Sequence, residues 1–190
     1  MEFEISKEKI VYDGVLKIKK AKIIHDSFTK KERVKCNREI LVRGDAVAVI
    51  VYEKNTNSML FTRQFRYATT KSDGGWIIEV PAGCIEAGES PVSCAKREVL
   101  EELGYQVGDM EFVACFYSSP GGLTERIFLY SCEVNTRDKV EKGGGALTEN
   151  EDIELLKFPV NELSRLITSG KIKDAKSIIG IQWWLLNKAV

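Results

Sequence analysis

The chain has 190 residues, 44% of them hydrophobic and 29% charged, a composition ordinary for one globular domain with its own core. Its 28 basic residues balance 28 acidic ones, so no net basic field favours nucleic-acid binding. Five scattered cysteines without a C-x-x-C pair and a single histidine, His25, argue against a disulfide framework, a zinc site or a histidine metal cluster, and indicate a reducing, cytoplasmic compartment.

The sequence carries no pattern typical of export or membrane insertion. The first residues, MEFEISKEKI, mix charges without an apolar run, so we expect no signal peptide. No stretch approaches the ~20 apolar residues that a membrane-spanning helix needs. We therefore expect no membrane partner.

Strand patterns dominate the first part of the chain. They cover residues 9–28, 35–44, 46–53, 59–65 and 76–83. The dipeptide Asp13-Gly14 favours a hairpin turn within the first segment, and residues 55–58 favour a turn between the third and fourth. Pro81 is expected to stop the last strand.

The first clear helix follows these strands. Ser90 is a suitable N-cap, Pro91 fits the first helical position, and Gly104 fits just past the end. The apolar residues of this segment form a stripe at helical spacing, namely Val92, Ala95, Val99 and Leu103. The pattern predicts one helix from Pro91 to the residue before Gly104.

The second part of the chain alternates between strands and helices. Strands are predicted at residues 110–118, 126–134 and 153–160, and helices at 161–170, with Asn161 as cap and Gly170 at its end, and at 174–190. Three consecutive glycines, Gly143–Gly145, lie in a long loop of the kind that often carries function. The pattern predicts a mixed sheet between helices, α+β or α/β, with a mostly β N-terminal extension.

Three carboxylates of the first helix are placed unusually. Glu98, Glu101 and Glu102 lie three and four residues apart, on one flank of the apolar stripe, where like charges destabilise a helix by roughly 0.2–0.5 kcal/mol per pair. A hard divalent cation such as Mg²⁺ takes oxygen ligands and would offset the repulsion. A solvated acidic face is the alternative.

The spacing around these acids is more specific than the acids alone. Five residues separate Gly83 from Glu89, and seven more precede the segment REVLEELGY, residues 97–105. This pattern resembles the Nudix box, G-x5-E-x7-R-E-U-x-E-E-x-G-U, in which U is a bulky aliphatic residue. Tyr105 in the last aliphatic slot is the one departure, and we expect it to concern packing rather than chemistry.

The resemblance to Nudix hydrolases implies a fold and a cation site. The expected fold is the α/β/α Nudix sandwich, of class α+β, with a Nudix domain at residues 45–190 and an N-terminal β extension at 1–44 for dimerisation and substrate contacts. The expected cofactor is Mg²⁺, with Mn²⁺ as a substitute. Its implied ligands are the Ala82 carbonyl, Glu98 and Glu102, with Glu101 adding a ligand or orienting a water. Glu89 and Arg97 would form an ion pair that holds the loop against the helix.

Further segments resemble the branch that contains ADP-ribose pyrophosphatases and GDP-mannose hydrolases. They are NREI (37–40), RQFR (63–66), SSPGGLTER (118–126), ENEDI (149–153) and IQWW near the C-terminus. By this resemblance Glu149 is the catalytic base, and Glu151 is either a metal ligand or the alternative base. The implied substrate-binding residues are Arg66, Glu79, Pro120, Gly121, Glu125 and, from a partner subunit, Arg38.

Each of these residues also has a structural interpretation. Arg38 and Arg66 could be surface arginines of strands, and Glu79 could be a solvated strand residue. Glu125 and Arg126 could form a simple turn pair. Glu149 and Glu151 could belong to an ordinary solvated acidic loop.

The resemblance implies hydrolysis of a nucleoside diphosphate sugar by a cytoplasmic homodimer with exchanged N-terminal strands. ADP-ribose, giving AMP and ribose 5-phosphate, is the favoured substrate. GDP-mannose, giving GMP and mannose 1-phosphate, is the alternative. An alternative of another class is a module that binds nucleotide sugars without cleaving them, although such a module could dispense with the three glutamates.

Overall fold

The computed structural model describes residues 1–146 and 150–188 of the chain. Two compact units are present: the first comprises Met1–Asp45 and Tyr117–Arg126, and the second comprises Ala46–Phe116 and Ile127–Val190. The roles predicted for residues 1–44 and 45–190 stay predictions.

The first unit contains a three-stranded antiparallel sheet in the order β1-β2-β3. Its strands are β1 (Phe3–Asp13), β2 (Lys17–His25) and β3 (Val34–Val42). The predicted hairpin at Asp13-Gly14 joins β1 to β2. The sequence pattern missed the first residues of β1, because the register shifts between Ser6 and Lys9, and Lys7 adopts a φ of 51°, which interrupts the alternation.

The second sheet is mixed and has the order β10-β5-β4-β9-β8, with β6 paired to β5 and β7 paired to β4. The strands are β4 (Ala46–Glu53), β5 (Ser58–Phe65), β6 (Trp76–Glu79), β7 (Ala82–Cys84), β8 (Glu111–Tyr117), β9 (Arg126–Val134) and β10 (Glu154–Pro159). Strand β4 pairs in parallel with β9 and antiparallel with β5 and β7.

The strand predicted at residues 76–83 stops before Pro81 as expected, but Ala82–Cys84 then form a second strand that was not predicted. Val80 and Pro81 separate β6 from β7, and the two strands pair with different neighbours. Proline has no N–H to donate to a ladder, whereas the Pro81 carbonyl still accepts a hydrogen bond from the Val49 amide at 2.9 Å.

Four α-helices accompany the second sheet within the described residues: α1 (Thr70–Asp73), α2 (Pro91–Glu98), α3 (Leu163–Thr168) and α4 (Ala175–Asn187). Short 3₁₀ turns lie at Lys54–Thr56, Tyr67–Thr69, Thr136–Asp138 and Val160–Glu162. None of the helices in the described chain is long and apolar enough to cross a membrane.

One of the two predicted helix caps is present. Ser90 caps α2 by accepting a hydrogen bond from the Ser93 amide, and Asp174 caps α4 by accepting one from the Ser177 amide. Asn161 is not the cap of α3, because it lies within a 3₁₀ turn and the helix begins after Glu162.

The core lies on both faces of the second sheet. One buried cluster includes Phe61 and Leu129 of the sheet with Leu163, Ile181 and Trp184 of α3 and α4. The other buries Val47, Val49 and Leu60 against Ala95, Val99 and Leu103 of the α2 segment. Helices therefore cover a mixed sheet on both sides, which confirms the predicted α+β sandwich.

Candidate active site

A change of helix type places the three glutamates. Helix α2 ends at Glu98 and continues as a π-helical turn over Val99–Leu103, so the prediction of one regular α-helix is wrong. A π turn holds more residues than an α turn, and π turns are frequent at functional sites. Glu98 is only 7% exposed and Glu102 only 2%, whereas Glu101 is partly exposed. Val92, which was predicted in the buried stripe, is 39% exposed.

The Glu98 carboxylate packs against the backbone of Gly83, a residue that has no side chain. A Cβ at Gly83 would overlap the Glu98 carboxylate, so glycine is required there for this close approach. Burial raises the pKa of Glu98 to about 7, and the charges of Glu101 and Glu151 act in the same direction, against the opposing effect of Arg97.

Glu102 is the most deeply buried acid of the site. Its Oε2 accepts a hydrogen bond from the Ala82 amide at 3.3 Å. Burial raises the pKa of Glu102 well above its ordinary value, and the nearby charges of Glu98 and Glu151 add to the increase. Burial and mutual repulsion thus disfavour the charged form of both carboxyls, which a bound cation would favour.

Arg97 connects the loop to the helix. Its Nε and Nη2 donate to Glu89 at 3.0 and 3.1 Å, so the expected ion pair is present. The Arg97 Nη1 also donates to Glu98 Oε1 at 2.8 Å and to Glu101 Oε2 at 2.9 Å. The guanidinium therefore supplies positive charge to the outer edge of the acid cluster.

The donor chemistry of this cluster fits a hard divalent cation. Buried carboxylates of like charge need a cation near them, and oxygen ligands are those that Mg²⁺ takes. Within the described ranges, no three acidic, cysteine or histidine side chains already converge on one point as a metal site would require. The hydrogen bonds from Arg97 to Glu98 and Glu101 give a physical reason, because they direct both carboxylates toward the guanidinium. The assignment of Ala82, Glu98, Glu101 and Glu102 as metal ligands stays a prediction.

A second charged group lies at the ends of β5 and β6. Glu79 is buried and accepts hydrogen bonds from Arg66 Nε at 2.8 Å and from Lys176 Nζ at 2.6 Å. Burial raises the pKa of Glu79, but the charges of Lys176 and Arg66 outweigh it and lower the pKa overall. Glu79 is therefore not the solvated strand residue considered as an alternative. Lys176, which also binds Asp174 at 3.0 Å, was missed because only the fold brings α4 to β6.

The acidic loop is described in part. Glu149 lies outside the described residues, so its role as base stays a prediction. Glu151 Oε2 accepts a hydrogen bond from the Ala146 amide at 3.0 Å, and Gln64 Nε2 donates to Glu151 Oε1 at 3.4 Å. Sequence analysis missed Gln64, although its alternation with Thr62 along β5 indicates a shared face.

The substrate residues predicted in the first unit have well-defined local partners. Glu125 forms an ion pair with Arg43 at 3.2 Å and accepts a hydrogen bond from Ser118, whereas Arg126 pairs with Asp45. Glu125 and Arg126 are therefore not a simple turn pair.

Other predicted residues of that unit lie at its surface. Arg38 is exposed on β3, and its Nη1 donates to the Asn37 carbonyl. Pro120 and Gly121 lie in a turn in which the Gly122 amide donates to the Ser119 carbonyl. Substrate binding by Arg38, Pro120, Gly121 and Glu125 stays a prediction.

Tyr105, the one departure from the Nudix box, does more than fill space. Its hydroxyl donates a hydrogen bond to Glu53 Oε1 at 2.6 Å. The fully buried Glu53 also accepts hydrogen bonds from the side chains of Thr56 and Lys157. Burial raises the pKa of Glu53, but these partners outweigh it and lower the pKa overall. Tyr105 therefore contributes a buried structural hydrogen bond as well as packing, and none of these contacts belongs to the acids of the candidate site.

The NUDIX domain family matches residues 42–179 of this chain. The chain therefore belongs to the Nudix family. Its sandwich of a mixed sheet between helices and its Nudix box at residues 83–105 agree with this match.

Several relatives named GDP-mannose pyrophosphatases cover three quarters or more of the chain. A GDP-mannose pyrophosphatase of Cronobacter sakazakii is 35% identical over 186 residues, which is 96% of this chain and 94% of the relative. One of Pectobacterium atrosepticum is 37% identical over 147 residues, 76% of this chain and 75% of the relative. One of Escherichia coli O157:H7 is 32% identical over 193 residues, 100% of this chain and 98% of the relative.

Proposed function

We propose that this Nudix protein hydrolyses GDP-mannose to GMP and mannose 1-phosphate with Mg²⁺ as its cofactor. The observation that carries the proposal is the buried pair Glu98 and Glu102, found in a chain whose near-full-length relatives are named GDP-mannose pyrophosphatases. Buried carboxylates that repel each other are costly to a fold, and binding of a cation to an anionic substrate gives them a use.

The side chains of the second unit divide the work. A cation held by Glu98 and Glu102, with Glu101 as a further ligand, would neutralise diphosphate charge and acidify the attacking water. Arg66, anchored through Nε to Glu79, would bind phosphate oxygens with its terminal amino groups. Lys176 holds the other oxygen of Glu79 and thereby fixes the direction of Arg66.

The reaction is a displacement at phosphorus. The water oxygen bonds to one phosphorus, the bond from that phosphorus to the bridging oxygen breaks, and the bridging oxygen leaves with the other phosphate. Glu149 would take the proton of the water, which typically adds 10²–10⁴-fold to the rate. Glu151 is the next candidate for this role.

ADP-ribose was the favoured substrate on sequence alone, and the names of the relatives support GDP-mannose instead. The two substrates share the diphosphate, so the same carboxylates and Arg66 serve either one. The difference lies in the base and the sugar, and specificity is a ratio of kcat/KM values.

The same proposal includes the assembly and the location. A homodimer with exchanged N-terminal strands would bring Arg38 to the site of the partner, in the cytoplasm. Light scattering of the full chain is expected to give twice its mass of 21.4 kDa. A mass of one chain at micromolar concentration would contradict the dimer.

A substrate panel tests the proposed reaction. We expect GDP-mannose to exceed ADP-ribose, other nucleotide sugars and NADH by about ten-fold or more in kcat/KM, a difference of ~1.4 kcal/mol in transition-state binding. The measurement uses Mg²⁺ and a phosphatase-coupled phosphate readout. A higher value for ADP-ribose would overturn the GDP-mannose assignment. Binding without turnover of any substrate would support the non-catalytic module.

A further inference from the structure

The glycine run Gly143–Gly145 is attached to the helical segment that carries the acids. The Gly144 amide donates to the Glu102 carbonyl at 2.9 Å, and the Gly145 amide donates to the Glu101 carbonyl at 3.0 Å. Carbonyls at the end of a helix have no partner within the helix, so the loop supplies one for each. The loop is thus tied to the backbone of two predicted metal ligands.

Gly145 also forms the surface on which Glu151 lies. It has a φ of 89°, and a Cβ built on it would lie 2.6 Å from Glu151 Cβ and 2.8 Å from Glu151 Oε2. Carbon atoms do not approach so closely, so any side chain at position 145 must move Glu151. Glycine is therefore needed here both for its φ and for the contact.

Two hydrogen bonds also hold the Glu151 carboxylate in place. Its Oε2 accepts a hydrogen bond from the Ala146 amide at 3.0 Å, and its Oε1 accepts one from Gln64 Nε2 at 3.4 Å. The Glu151 side chain lies against Gly145, and the Gly144 and Gly145 amides bond to the carbonyls of Glu102 and Glu101, so Glu151 is next to the helical turn that carries the other acids. Three acids from two segments of the chain therefore share one region.

We propose that Gly145 is a positioning residue that sets the Glu151 carboxylate beside Glu98 and Glu102 for cation binding. Because Gly145 has no Cβ, Glu151 can occupy the adjacent space. The hydrogen bond from the Gly145 amide to the Glu101 carbonyl connects the loop to the helical segment that carries Glu98 and Glu102. The catalytic consequence rests on the proposed function, whereas the effect on cation binding can be measured without any substrate.

Gly144 provides a matched control. It also has a positive φ, 109°, so alanine at either position strains the backbone. A Cβ at Gly144 would have the Ile153 carbonyl oxygen as its nearest neighbour, at an ordinary 3.6 Å. Only Gly145→Ala adds a collision with Glu151.

The experiment compares Gly145→Ala, Gly144→Ala, Glu151→Ala and the double variant Gly145→Ala/Glu151→Ala with the parent protein. Calorimetry measures the Kd for Mn²⁺, steady-state kinetics measure kcat and KM for GDP-mannose, and thermal melting measures stability. We expect Gly145→Ala to weaken Mn²⁺ binding and lower kcat by about ten-fold or more, with KM nearly unchanged. Gly144→Ala should share the loss of stability from backbone strain but remain within about two-fold of the parent in Kd.

The double variant separates positioning from general damage. If Gly145 acts through Glu151, Gly145→Ala adds little to the loss in Kd once the Glu151 carboxylate is gone. Equal effects of the two glycine variants on Kd, or additive effects in the double variant, would overturn the proposal. Should Gly145→Ala not fold, Gln64→Met removes the donor to Glu151 Oε1 at similar volume. It should weaken Mn²⁺ binding to a smaller extent, and an unchanged Kd there would overturn the proposal.

The two proposals fail differently. If the parent cleaves no nucleotide sugar, the proposed function fails, while the Mn²⁺ titrations still decide the role of Gly145. If the parent cleaves GDP-mannose and Gly145→Ala binds Mn²⁺ as the parent does, only the positioning proposal fails.

Discussion

Burial of the Glu102 carboxylate lowers the stability of the fold. Glu102 is 2% exposed, the charges of Glu98 and Glu151 raise its pKa, and its Oε2 accepts a hydrogen bond from the Ala82 amide. Burying a charge in such surroundings is unfavourable unless an opposite charge compensates it. The metal-free protein should therefore gain stability when this charge is removed.

Glu102→Gln tests that expectation. The amide has the same shape and its oxygen can still accept the Ala82 amide, so we expect the Tm measured in a chelator to rise by about 2–4 °C for each ~1 kcal/mol of repulsion removed. Turnover should fall at the same time, as in other trade-offs between stability and activity.

Glu101→Gln is the matched control for Glu102→Gln. Glu101 is partly exposed and pairs with Arg97, so removing its charge should leave Tm within about 2 °C or lower it slightly. A lower Tm for Glu102→Gln than for the parent would contradict the account of buried repulsion.

For individual residues, the sequence predicted which acids form the site better than it predicted how deeply they are buried. The box spacing identified Glu98, Glu101 and Glu102, but a wheel drawn at about 100° per residue placed them on an accessible flank. The π turn and the close approach of Gly83 bury two of them, and neither feature has a periodic signal. Lys176 and Gln64 were missed because their partners are distant in sequence.

At the scale of elements, Tyr105 ties the end of the π turn to the end of β4. Its hydroxyl donates to the buried Glu53, which also holds Lys157 of β10. Three elements of the sandwich thus meet at one carboxylate. An aliphatic residue in this slot of the box could pack but could not donate this bond.

Tyr105→Phe should destabilise the protein without removing any group that we assign to the reaction. A hydrogen bond to a charged partner contributes about 1.5–3 kcal/mol, so we expect a loss of that order in the free energy of unfolding at pH 7. Denaturant titration measures it. Tyr130→Phe is the control, because the Tyr130 hydroxyl forms no hydrogen bond within the described chain, and equal losses would contradict the assignment.

The same group has a pH dependence of known sign. The pKa of Glu53 is lowered in the folded protein, so its stabilisation is fully present above its ordinary pKa of 4.5 and is lost as the pH falls through the folded value. Between pH 5 and 8 the Tyr105→Phe difference should therefore be constant, and it should shrink below about pH 4.

Elements with strong local signals were predicted well. The cap Ser90 accepts a hydrogen bond from the Ser93 amide, and the hairpin at Asp13-Gly14 joins two adjacent strands, so both depend on residues close in sequence. The separate strand β7 after Pro81 and the 3₁₀ turn that displaces Asn161 depend on which neighbour each segment pairs with, which the local sequence does not contain.

For the whole molecule, composition and the box together predicted the class of fold, which the sandwich confirms. They did not predict that residues 117–126 group with the N-terminal strands, because the bonds of Leu41 to Gly122 and Thr124 span about 80 residues of sequence. The relatives extend over nearly the same length, so the comparison concerns the entire chain.

The central claim is that the buried glutamates bind the cation that drives hydrolysis of GDP-mannose. The most direct measurement is kcat for GDP-mannose at saturating Mg²⁺ in the full chain and in Glu98→Gln, with products identified by chromatography. We expect the parent to form GMP and mannose 1-phosphate only when a divalent cation is present, and Glu98→Gln to lose about 10²-fold or more in kcat. Parental kcat in Glu98→Gln, or full activity of the parent in a chelator, would contradict the account.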